Sequence, residues 1–215
     1  MRKTVENFGK ICYIIFQYIF KGEFCMLKNS YVEIADGVKL LCINNNKFKT
    51  NCIKADFYLP IGEKLASQNV LTSFMGHTSG SFNTFKSFNA KTESLYGADF
   101  DTGISTIGER VRIRFSIEIP DDRFSLDGNS ISCDAVDFLV DIIGNPHCEN
   151  GEFDKAATER EVRFTLETIE AEKNDKRAYA VSRLRQLMCC DEPYGIDREK
   201  LEHDVKALDG KALYD

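Results

Sequence analysis

No two of the eight cysteines, at positions 12, 25, 42, 52, 133, 148, 189 and 190, are spaced as a C-x-x-C pair. Knuckle-type zinc sites and dithiol redox sites need that spacing, so both are excluded, and the thiols read as scattered reduced cysteines of a cytosolic protein. Cys189 and Cys190 are adjacent on helical text, which turns their side chains roughly 100° apart. A Lys/Arg stripe with interleaved aromatics is missing too. With 28 basic against 34 acidic side chains and a net charge of -6, nucleic acid is excluded as a partner. The apolar run from Ile11 to Phe20 is half the roughly 20 residues of a membrane helix, so no membrane span is expected. Lys21, Gly22, Glu23 and Phe24 follow it where a signal peptide would place small residues for cleavage. Residues 1–25 are therefore set apart as an extraneous or mis-called segment, with Met26 as the working start. Residues 26–215 contain no internal repeat, Pro-rich linker or low-complexity tract. What is present is a 43% apolar content, ordinary for a globular protein with a true core.

The text from Tyr31 to Ile43, "YVEIADGVKLLCI", reads as two strands joined at Asp36-Gly37, a pair suited to the positive φ angles of a tight hairpin. In "NCIKADFYL", Ile53, Ala55, Phe57 and Leu59 alternate with Lys54, Asp56 and Tyr58, the period of a strand covered on one face. Helices are expected from about Glu63 to Met75 and from Thr84 to Tyr96, the second closed by Gly97. Strict alternation of Val111, Ile113, Phe115, Ile117 and Ile119 with Arg112, Arg114, Ser116 and Glu118 marks another strand. Its natural partner is residues 98–107, turned at Gly108. Ser132 is the expected N-cap of a helix carrying Val136, Leu139, Val140 and Ile143. From Phe153 to about Met188 neither Pro nor Gly interrupts, so a long helix is expected with its apolar stripe on Val162, Leu166 and Ile169. A break is expected at "NDKR", residues 174–177. Strands followed by helices predict an α+β domain over residues 26–215, a mostly antiparallel sheet with helices packed on one face.

The stretches "LYGADFD" (95–101), "RVRIRFSIEI", "IIGNP" followed by "GEFDKAATEREV", "NDKRAYA" (174–180) and "DEPYG" (191–195) together resemble the pitrilysin/insulinase superfamily of zinc peptidases and mitochondrial processing peptidase-like proteins. The resemblance covers roughly residues 30–208 and is greatest to the bacterial branch of non-peptidase homologues. It implies a LuxS/processing-peptidase-like half whose sheet is finished by a further strand, so residues 26–215 are expected to be incomplete at the C-terminus. Active members carry H-x-x-E-H on a helix: two histidines four apart hold zinc and the glutamate acts as base. Aligning that pattern by its apolar positions puts Val70 and Leu71 in the x positions, Asn69 and Ser73 in place of the histidines and Thr72 in place of the glutamate. The third ligand corresponds to Glu159 or Glu161, between which the sequence does not choose. No catalytic residue and no metal ligand set is expected, and no cofactor, zinc belonging only to an active partner. The resemblance implies a non-catalytic partner subunit of a cytoplasmic peptide-processing complex. Its partners would be a catalytic pitrilysin-type homologue and an extended peptide. The alternatives are an active zinc metalloendopeptidase or a stand-alone protein-binding scaffold.

His77, in "GHTSGS", reads as a surface or cap-region histidine, since His147 and His203 do not stand at ligand spacing with it. The same stretch lacks the Lys-Ser/Thr ending of a phosphate loop and follows a helix. Glu159, Arg160, Glu161, Arg163, Glu167, Glu170, Glu172 and Lys173 read as a solvated helix face laced with i,i+4 pairs.

Overall fold

A computed structural model describes residues 12–16, 29–43, 47–149 and 151–214. The fold is α+β. Its strands are β1 (Cys12–Phe16), β2 (Asn29–Ala35), β3 (Val38–Ile43), β4 (Thr50–Pro60), β5 (Asp99–Ile107), β6 (Arg110–Pro120), β7 (Cys148–Glu149) and β8 (Glu152–Phe153). Its helices are α1 (Leu65–Met75), α2 (Phe85–Ser94), α3 (Ile131–Gly144), α4 (Lys155–Ala171), α5 (Lys176–Met188), α6 (Arg198–Lys206) and α7 (Gly210–Tyr214).

Six strands form one sheet in the order β2-β3-β1-β4-β6-β5, and β7 pairs with β8. The β2–β3 hairpin is antiparallel, with Gly37 at φ 73° in its turn, as the Asp-Gly pair implies. Strand β1 runs parallel to β3 and antiparallel to β4. It comes from inside the segment that the sequence sets apart from the domain. In β4 and β6 the alternation is realised: Ile53, Ala55, Phe57, Val111, Ile113, Phe115, Ile117 and Ile119 are all buried.

Two compact units emerge, neither of them a continuous segment. One comprises Met1–Tyr58, Met75–Gly103 and Ile113–Pro146; the other Leu59–Phe74, Ile104–Arg112 and His147–Asp215. In the first unit the core is aromatic. Phe88 of α2, Phe100 of β5 and Phe138 of α3 meet with ring centroids 5.1 to 5.9 Å apart, close to edge-to-face geometry. Helix α2 has a capping box in which Thr84 and Ser87 satisfy each other's backbone amides. Gly97, at φ 73°, follows Tyr96 at φ 62° where the helix ends, and the Tyr96 hydroxyl accepts from the Leu126 amide. Helix α3 is capped by Ser130, whose oxygen accepts from the Cys133 amide. Ser132, the expected cap, is buried in the first turn, two residues past Ser130, and accepts from Asn51. Asp122 holds both the Ser130 hydroxyl and the Ser132 amide, which fixes the earlier start.

In the second unit Phe74 packs on Phe153 at 4.8 Å, and Phe153 lies 6.3 Å from Tyr214. The long helical text breaks where expected. A turn of 3₁₀ helix spans Glu172–Asn174, and Asp175 caps α5 through the amides of Arg177 and Ala178. Among the described residues no helix is long and apolar enough to cross a membrane.

Candidate functional site

Helix α1 carries Asn69, Thr72 and Ser73, the three positions that the sequence aligns with the zinc motif. Asn69 and Ser73 stand four residues apart, on one face, with Thr72 beside them. Each polar side chain already has a partner inside the second unit. Asn69 Nδ2 donates to the Leu65 carbonyl at 2.7 Å, and Thr72 Oγ1 donates to the Gln68 carbonyl at 2.6 Å. Both are bonds back to the preceding turn of the same helix, a habit of short polar side chains at helical positions. Ser73 instead reaches another element: its hydroxyl donates to Glu161 Oε2 of α4 at 2.7 Å.

Glu161 and Glu159, which the sequence leaves as alternatives, lie in different surroundings. Glu159 is exposed and sits 3.9 Å from Lys155. Glu161 is 4% exposed, with Oε1 accepting from Arg160 Nε at 3.1 Å. A buried carboxylate must be hydrogen-bonded or paired to be tolerated, and here it is both. Glu161 is therefore no part of a solvated face. The buried stripe of α4 is Thr158, Glu161, Thr165 and Ile169, whereas apolar periodicity alone expects Val162, Leu166 and Ile169. Only Ile169 is common to both. Three polar residues turned inward are the mark that local periodicity misses.

Zinc does not fit these residues. A catalytic zinc takes three protein ligands and a water, whereas one carboxylate is present and the amide and hydroxyls around it are committed as donors. Thr72 has no carboxylate with which to take a proton from water. Among the described residues no group of three or more His, Cys, Asp or Glu is placed to hold a metal. His77 is exposed, its ring 6.2 Å from Phe85, and His203 is exposed on α6.

The "GHTSGS" loop is likewise occupied by its own contacts, within the first unit. Ser79 and Ser81 both donate to the Asp141 carboxylate at 2.7 Å, and the Gly80 amide donates to the Asn145 carbonyl at 2.6 Å. A carboxylate between the two serines repels a phosphate. A Cβ at Gly80 would fall 2.5 Å from the Asn145 side chain and displace it. The loop is a clasp on the end of α3.

A cavity of about 260 Å³ opens in the second unit beside Asn69. Ile104, Ser105 and Thr106 of β5, Thr165 and Ile169 of α4, Arg185 of α5 and Arg198 of α6 contribute to it. Arg198 Nη2 pairs with Glu172 Oε2 at 2.6 Å, and its Nε donates to Ser182 at 3.3 Å. The Arg185 guanidinium lies 4.7 Å above the Tyr194 ring and donates to Thr106 Oγ1 at 3.4 Å.

No family profile matches the chain. A curated relative, "Probable inactive metalloprotease YmfF" of Bacillus subtilis (strain 168), is 23% identical over 180 residues, which is 83% of this chain and 42% of the relative. Among solved structures, a conserved protein from Enterococcus faecalis V583 superposes with TM-score 0.81 at 25% identity, covering 87% of this chain and 44% of its own. A peptidase M16 inactive domain from Pseudomonas fluorescens gives TM-score 0.63 at 14% identity, over 87% and 42% of the two chains. The chain thus spans about two fifths of the length of these relatives. In sequence the chain is similar to a probable inactive metalloprotease, and in fold to an inactive domain of peptidase M16.

Proposed function

We propose that this chain serves as a non-catalytic partner subunit in a cytoplasmic, peptide-processing metallopeptidase complex. It contributes peptide-binding wall, and a catalytic pitrilysin-type homologue supplies the zinc. The observation that carries this reading is the Ser73–Glu161 hydrogen bond. It supports Asn69, Thr72 and Ser73 as the former zinc-motif positions and Glu161, not Glu159, as the former third ligand. A pair of helices once joined through a metal would retain inward-facing polar residues at those positions, and they would bond to each other. β5 stands at one end of the sheet order, where main-chain groups can take up an extended peptide with little sequence demand.

Two measurements test the reading. Elemental analysis of the gently purified chain should find no stoichiometric zinc. The triple variant Asn69→His, Thr72→Glu, Ser73→His, which rebuilds the motif opposite Glu161, should take up about one zinc per chain. A wild-type chain holding tight zinc with chelator-sensitive peptidase activity, or a triple variant that folds and ignores zinc, would overturn the site assignment. Co-expression with a homologue bearing H-x-x-E-H should yield a defined complex that cleaves peptide. Failure to associate at micromolar concentration removes the subunit role.

A further inference from the structure

The cavity beside Asn69 has a chemical bias that loss of catalysis does not explain. Two guanidinium groups line it against a single carboxylate, Glu172. That carboxylate is consumed by Arg198, leaving Arg185 as the net positive charge. Among the described residues no carboxylate pairs with Arg185. Its partners are a ring face and one hydroxyl, both neutral.

Those neutral partners hold the guanidinium in place without satisfying it. Stacking on Tyr194 fixes its plane, and Thr106 uses one of its five N–H donors. What remains is a planar fork, the group best matched to a carboxylate. With Glu172 and Arg198 offsetting each other, one net positive charge faces the cavity, which matches a singly charged acid better than a doubly charged anion such as phosphate. At about 260 Å³ the cavity is smaller than the roughly 300–1,000 Å³ of small-molecule sites. It has room for one side chain or a small acid. Three consecutive residues of β5, Ile104 to Thr106, line it, so a segment lying along that strand would direct a side chain inward.

From this geometry we infer that the cavity is an acid-recognition pocket. It takes the carboxylate of an aspartate or glutamate side chain carried by an extended peptide, with Arg185 as the charge partner. The inference rests on the peptide-binding reading above and narrows it to acidic sequences.

The test uses the full chain and three probes: a fluorescein-labelled extended peptide with a central glutamate, its glutamine twin, and glutarate as a free acid. Anisotropy should show the glutamate peptide binding about tenfold more tightly than the glutamine twin, the size expected of one charge-assisted pairing. Arg185→Gln should bring that ratio to about one, and Arg185→Lys, which keeps the charge and loses the fork, should leave an intermediate ratio. Thermal melts of both variants separate lost recognition from lost folding. If both peptides bind equally and Arg185→Gln changes nothing, the acid pocket is refuted while peptide binding stands. If neither peptide binds but glutarate raises the melting temperature in an Arg185-dependent manner, the carboxylate site stands as one for free acids and the peptide reading falls. No binding by any probe overturns the inference outright.

Discussion

Removing the Ser73 hydroxyl leaves Glu161 Oε2 without its partner in a site only 4% exposed. Ser73→Ala is expected to cost about 1–3 kcal/mol in chemical denaturation. The same change in a Glu161→Leu background should cost much less, and a double-mutant cycle reads the difference. Additive effects would show that the two residues do not act together. A second expectation concerns Cys52, whose thiol is pushed above its ordinary pKa chiefly by burial, with Lys54 opposing. A raised pKa lowers the thiolate fraction at mildly alkaline pH, and the thiolate is the reacting form. In timed alkylation read by mass spectrometry, the exposed Cys133 and Cys190 should label well before Cys52. Early labelling of Cys52 would show that its strand opens readily.

Strands β4 and β6 are joined by Asp56 and Arg114 in a two-pronged pair, both contacts 2.6 Å. Asp56 is fully buried, whereas the Arg114 side chain is 29% exposed. Proximity to Asp56 raises the Arg114 pKa further. Arg114→Met strands a buried negative charge and should cost about 3–5 kcal/mol. Replacing both residues by apolar ones should cost less than that single change. Equal or greater loss in the double variant would mean the pair is worth more than its desolvation cost. These same strands were the most legible elements in the sequence. Their alternation is local and strict, and the hairpin at Gly37, the helix end at Gly97 and the break before Asp175 were announced by residues with one conformational use. Other elements depended on partners far along the chain. Ser130 rather than Ser132 caps α3 because Asp122 holds both. The inward face of α4 is polar because it meets Ser73 of α1. Periodicity finds an apolar stripe, and it cannot reveal that a glutamate is buried against a serine elsewhere.

At the scale of the whole molecule the telling strand is β1. An apolar run too short for a membrane and followed by charged residues gave no local reason to place it in a sheet. Yet Cys12–Phe16 pairs in register with Val38–Cys42 on one side and Ile53–Phe57 on the other. A chain starting at Met26 removes that strand and leaves facing edges on β3 and β4, so its melting temperature should fall by several degrees or more. An unchanged melt would return residues 1–25 to the status the sequence assigns them, dispensable to the domain. The bond between Ser73 and Glu161 also has a consequence for how the chain folds. It joins residues 88 positions apart, and closing so long a loop costs entropy that no local turn repays. Such distant contacts form after the helices that carry them. A metal would staple the two helices with several bonds at once, whereas here one hydrogen bond joins them beside the Phe74–Phe153 ring contact. In hydrogen exchange, the amides around Ser73 should open with less free energy than the strands of β4 and β6, and Ser73→Ala should lower their protection first.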